Sequence, residues 1–135
     1  MKPRKPTWRA DLLAYLSESA RADFRVGKND CALFAAGAIK TITGEDLARG
    51  WRGKYRSLKK GKALLKKQGF NDLAELAAHH FEEIPPLMAQ VGDVAIVEGD
   101  DDLALGIVQG ASVWVRMPSG IGSVSLTEVK RAFRV

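Results

Sequence analysis

The hydrophobic period changes once along this chain, at Pro85-Pro86, and that change admits only folds in which helices come first and strands follow. Before it, Trp8, Leu12, Tyr15, Leu16 and Ser19 share one stripe at helical spacing, which predicts a helix over residues 8 to about 22 with Thr7 as N-cap. Gly27-Lys28-Asn29 reads as a turn, and Asp30 as the cap of a second helix over 31 to about 42, stopped by Gly44. The interior of that helix is small and apolar, so it is expected to be buried on most sides. Residues 45–56 read as an exposed basic loop. Ser57 is placed to cap a third helix ending before Gly69. Asp72 with Glu75 forms a capping-box pattern opening a fourth through about Phe81. After the prolines, short apolar runs at 94–97, 105–108 and 113–117, a shorter one near Val124 and another at 133–135 read as strands separated by Gly- and Asp-rich links. The expectation is an α+β fold: one domain over 1–135, with N-terminal helices over about 7–84 packed on a C-terminal antiparallel sheet over about 91–135.

A chain of 135 residues can build such a core without staples, and its one cysteine excludes an internal disulfide. No apolar run is long enough to span a bilayer. The basic opening from Met1 to Pro6 lacks the apolar stretch of a secretory signal, so synthesis and folding in a cytoplasm are expected. Charge is unevenly placed. Residues 1–67 hold 17 Lys or Arg against 6 acids, whereas residues 68–135 hold 4 against 10. The densest run, from Arg49 to Lys67, reads first as a solvated helix face and second as a surface for an anionic partner.

Cys31 carries the chemical interest. A thiol in the first turn of a helix lies near unsatisfied amides and the positive end of the helix dipole, which favours the thiolate. A cysteine opening a buried helix that is followed by an antiparallel sheet is the arrangement of papain-like enzymes, where the sheet supplies a histidine base and a third group orients it. The segment from Gly27 to Phe34, with Asp30-Cys31 at its centre, resembles the Asp-Cys motif of the NlpC-type cell-wall peptidases. Val91-Gly92-Asp93-Val94 resembles that family's Gly-Asp motif, and Ala104-Leu105-Gly106-Ile107-Val108 its next strand. The Asp-Cys-Ala helix followed by Thr43-Gly44, the Tyr55-Arg56-Ser57 segment and the Gly-Asp-Val strand are similar to a family of short phage and prophage proteins. The resemblance implies a papain-like fold, a place among tail-tip proteins of a virion, and peptidoglycan as a further partner.

The same resemblance puts Ala104 where active relatives carry the histidine, and Arg116 at or beside the third triad position. Alanine has no ionisable group and arginine stays protonated, so neither can serve as the base or as its usual orienter. The only histidines, His79 and His80, fall in the fourth helix, and at most one could face the cysteine. Asp30 reads as the helix cap beside the nucleophile position and Asp93 as a turn-former. Trp51 and Tyr55 are the candidate binding side chains, whereas Trp8 and Trp114 are expected in the core. Asp100-Asp101-Asp102 lacks a calcium-loop pattern, no Cys/His spacing supports zinc, and no cofactor is implied. Three readings follow: a tail-tip assembly protein with an incomplete triad, a working cysteine peptidase or amidase, and a nucleic-acid binder. The last is placed lowest because no recognition motif is present.

Overall fold

The computed structural model describes residues 2–99 and 102–135. Among these residues four α-helices, α1 (Trp8–Arg21), α2 (Cys31–Thr43), α3 (Leu58–Lys67) and α4 (Leu73–His80), precede a six-stranded sheet. The strands are β1 (Glu82–Ile84), β2 (Val94–Glu98), β3 (Leu103–Val108), β4 (Ser112–Met117), β5 (Gly120–Ser125) and β6 (Arg131–Arg134). Their order is β1-β6-β2-β3-β4-β5, antiparallel throughout, so β2 to β5 form a meander and β6 returns beside β2. The α+β architecture with N-terminal helices on a C-terminal antiparallel sheet is therefore the observed one.

Local chemistry sets most helix ends. The Asp30 carboxylate accepts from the Leu33 amide (3.0 Å), Ser57 from Lys60 (3.1 Å) and Asp72 from Glu75 (2.8 Å). Gly44 closes α2 at φ 83°, a conformation that favours glycine. Three expectations need correction. Thr7 makes no side-chain cap; its hydroxyl donates to Asp11 instead (2.8 Å). The Glu75 carboxylate reaches the Asn71 amide (3.3 Å) rather than closing a reciprocal box on Asp72. The helical part also ends earlier than residue 84: Glu82–Ile84 is a strand, paired with β6 by Glu82↔Arg134, Glu83↔Phe133 and Ile84↔Ala132. The link from Gly99 to Asp102 contains Asp100 and Asp101, which lie outside the described residues.

Strand alternation divides the core into two apolar clusters. Val94, Ile96, Leu105, Ile107 and Phe133 meet the helices through Leu12, Leu16, Phe34, Ala38 and Ile42. Ala95, Val97, Val108, Val113, Val115 and Ala132 form the second cluster with Ile84 and Val129. Burial on both faces explains why β2 is apolar at four successive positions instead of alternating. Helix α1 packs closely on α2 because Gly37 has no side chain: a Cβ there would collide with the Tyr15 hydroxyl, which donates to the Phe34 carbonyl (2.7 Å). Trp8 and Trp114 pack against the first cluster.

The first and last segments of the chain meet at Asp93, which is 3% exposed. Its Oδ1 accepts from the Val135 amide (3.0 Å) and Arg4 Nη2 (3.0 Å), and its Oδ2 from the Gln90 amide (2.9 Å). Arg4 also donates to the carbonyls of Val91 (2.8 Å) and Val135 (3.1 Å). Asp93 forms the expected turn, and in addition ties residues 4 and 135 to it.

Candidate functional site

Cys31 is the first residue of α2 and is half-buried. Its position follows from Asp30, whose Oδ1 caps Leu33 while its Oδ2 accepts from the Gly27 amide (2.9 Å) and the Tyr55 hydroxyl (2.6 Å). Gly27 must be glycine twice over: its φ is 84°, and a Cβ would collide with the Tyr55 carbonyl. The loop holding Trp51 and Tyr55 is pinned to that turn by a Gly53 amide to Gly27 carbonyl bond of 2.8 Å. A local sequence motif shows Asp30 as a cap. The bond that ties it to Tyr55 links positions 25 apart and leaves no periodic signal.

These elements and the sheet enclose a groove of about 840 Å³. Asp30, Cys31, Trp51, Tyr55, Ala104 and Arg116 all line it. These six positions are thus brought to one concavity, whereas His79 and Asp93 lie outside its lining. Cys31 and Ala104 both pack against the second apolar cluster. Ala104 pairs with Val97 across β2 and β3, and the amide of the next residue, Leu105, lies against the sulfur.

Electrostatics at the thiol run opposite to the helix-dipole expectation. Burial pushes the Cys31 pKa up, and the Asp30 carboxylate adds to the rise; the Leu105 amide and the first-turn amides only partly oppose them. Burial and the carboxylate both favour the thiol over the thiolate. Among the described residues no imidazole is hydrogen-bonded to it. His79 packs edge-on against Phe70 (ring centroids 5.4 Å) and His80 (4.9 Å). His80 lines the same groove, and burial together with the neighbouring His79 lowers its pKa. Tyr55 is pushed far above the ordinary tyrosine value, first by burial and then by its bond to Asp30, so it remains a phenol donor.

Arg116 is 4% exposed. Its Nη1 donates to the Ser19 carbonyl (2.7 Å) and its Nη2 to the Ala22 carbonyl (2.6 Å). The side chain therefore closes the carbonyl end of α1, where a cation is favoured. This role was invisible in the sequence, because the partners lie 97 and 94 residues away. Trp51 is half-buried in the groove wall rather than freely exposed. Among the described residues no group of three or more His, Cys, Asp or Glu side chains could hold a metal ion, and no helix is long and apolar enough to cross a membrane.

Comparison with solved structures finds the crystal structure of the NlpC/p60 domain of peptidoglycan hydrolase SagA. The match has a TM-score of 0.58 at 14% identity, and covers 93% of this chain and 97% of that one. At this identity the likeness is one of fold. No curated protein is significantly similar in sequence. A family model described as a domain of unknown function (DUF6950) matches residues 3–135.

Proposed function

The chain belongs to the DUF6950 family, and we propose that it is a papain-like domain without hydrolytic activity, serving as a structural or assembly component of a phage tail tip. The observation that carries the first part is the setting of Cys31. Burial disfavours its thiolate, the adjoining strand offers Ala104, and Arg116 is committed to the carbonyls of Ser19 and Ala22. A peptidase needs a base within hydrogen-bond reach of its nucleophile, and nothing of that kind is bonded to the sulfur among the described residues. The tail-tip assignment rests on the resemblance of the segments around Cys31, Thr43-Gly44, Tyr55-Arg56-Ser57 and Gly92-Asp93-Val94 to phage and prophage proteins. It carries with it synthesis in the host cytoplasm and residence in the virion. The 135 residues are read as one folded unit.

Incubating the purified chain with muropeptides, followed by mass spectrometry, should return them intact. Cleavage that disappears in Cys31→Ala would sink the non-hydrolytic reading. A tagged copy expressed during phage growth should sediment with purified tails; its recovery only in the soluble fraction would remove the tail-tip assignment.

One observation favours the alternative, an active cysteine peptidase or amidase acting on peptidoglycan peptides during entry: His80 lines the same groove as Cys31. That reading requires His80, or a base from another tail protein, to reach the thiol. With His80 as the base, the isolated chain should cleave muropeptides in a Cys31- and His80-dependent way; with a base from another tail protein, only assembled tails should.

A further inference from the structure

We propose that the face between α1 and α2, on a different side of α2 from the Cys31 groove, binds the phosphodiester backbone of nucleic acid without reading its sequence. Several of the chain's acids are matched at home. Ion pairs join Glu83 to Arg131, Glu82 to Arg134, Glu98 to Lys130, Asp102 to Lys62, Asp46 to Arg52 and Asp11 to Lys5. The surplus of positive charge is left mainly within residues 1–67.

Part of that surplus lines an open concavity of about 870 Å³. Lys5, Arg25, Lys28, Lys40 and Arg52 meet there, against two acids, Asp11 and Asp23. Arg25, Lys28 and Lys40 are exposed and have no carboxylate partner among the described residues. The cations come from four segments held in fixed relation: Lys5 ahead of α1, whose amide donates to the Ile42 carbonyl (2.8 Å), Arg25 and Lys28 in the turn before α2, Lys40 on α2, and Arg52 in the following loop. The Arg25 and Asn29 backbones bridge each other, and the Gly53–Gly27 bond fastens the Arg52 loop to the same turn. Asn29 and Thr41 add polar side chains to the lining.

The lining chooses among anionic partners. Protein interfaces have an apolar core, and membrane-surface sites insert apolar side chains. Here the strongly exposed large apolar residues Leu13, Leu58, Leu87 and Met88 all lie outside the concavity. The lining also holds Tyr15, Ala22 and Leu33, but its cations, with the Asn29 amide and the Thr41 hydroxyl beside them, supply the groups that phosphate-backbone contact uses. The lack of a recognition motif, which argued against nucleic acid in the sequence, bears only on sequence-specific binding.

The test is fluorescence anisotropy of the full chain with a short labelled DNA duplex of mixed sequence, titrated over a range of salt concentrations. Binding should appear at low salt and weaken steeply, with a log–log slope of about −3 to −4 for the cations of this face. A second, unrelated duplex should bind equally. Lys28→Glu and Lys40→Glu should each weaken binding several-fold and flatten the slope by about one unit. Lys60→Glu with Lys67→Glu, on α3 and outside the concavity, should leave it within about twofold. Far-UV circular dichroism and the milder Lys28→Gln guard against misfolding. No binding at low salt overturns the proposal, as does equal weakening by the α3 pair. Polyglutamate or anionic phosphatidylserine vesicles competing as well as DNA would overturn it too, by reducing the face to a general anion exchanger.

Discussion

At the scale of single residues, the decisive position is Ala104. It lines the groove with Cys31 and packs on the same cluster, so an imidazole introduced there would enter the thiol's neighbourhood. Ala104→His is expected to speed iodoacetamide labelling of Cys31 at neutral pH by at least about tenfold, because an adjacent base or cation favours thiolate. Muropeptides should still be returned uncut, since Arg116 is held by α1 and cannot orient that base. Unchanged labelling would show that Ala104 does not face the sulfur. The two tyrosines give a second expectation. Burial raises the pKa of both Tyr15 and Tyr55. Folding therefore favours the phenol form. That stabilisation is complete below the ordinary tyrosine value of about 10 and is lost as pH rises toward the folded-state values. Tyrosinate absorbance should stay absent near pH 10 in the folded protein and appear together with loss of circular dichroism at higher pH. Appearance of tyrosinate in a still-folded chain would contradict this.

At the scale of elements, Arg116 links β4 to the end of α1 through the Ala22 carbonyl and the Ser19 carbonyl, which also accepts from the Ala22 amide (3.3 Å). Arg116→Met keeps the length and apolar stem but removes both bonds, and should cost about 2–3 kcal/mol in urea denaturation, with faster amide exchange at the last turn of α1. A loss below about 0.5 kcal/mol would mean that water replaces the guanidinium at no penalty. The contrast with the caps shows what a sequence can reveal. Asp30, Ser57, Asp72 and Gly44 act within four residues of their partners, so their roles are written locally, and the helices they bound were legible. The meander was legible too, because β2 to β4 are runs of apolar residues between turns. β1 was not: Glu82-Glu83-Ile84 is three residues long and becomes a strand only by pairing with β6, some 50 positions later. The site divides in the same way. Cys31 and its cap were visible, and the resemblance pointed to Ala104. The tie from Tyr55 to Asp30, the closure of α1 by Arg116 and the placing of His80 in the groove wall depend on distant contacts that no local pattern encodes.

At the scale of the whole molecule, Asp93 holds the fold together across its longest separation, joining Arg4, Gln90 and Val135. Asp93→Ala would leave the Arg4 guanidinium half-buried without its carboxylate and two amides without an acceptor. The expected cost is about 3–5 kcal/mol, measured by thermal or chemical unfolding. Arg4→Ala, which leaves the carboxylate two backbone donors, should cost distinctly less. Equal costs would mean that the ion pair, rather than the amide bonds, does the holding.

The strand order has one more consequence, for how this molecule can join others. Its two outermost strands are β1 and β5. An open edge is a template for another chain's backbone, but β1 is three residues long with two exposed glutamates, and β5 is Gly-Ile-Gly-Ser-Val-Ser, a sequence with little preference for extended pairing. Lateral growth of the sheet is disfavoured at both ends. Contacts with other molecules therefore fall to side-chain surfaces, and the sheet edges give copies of the chain little template for fibrous aggregation.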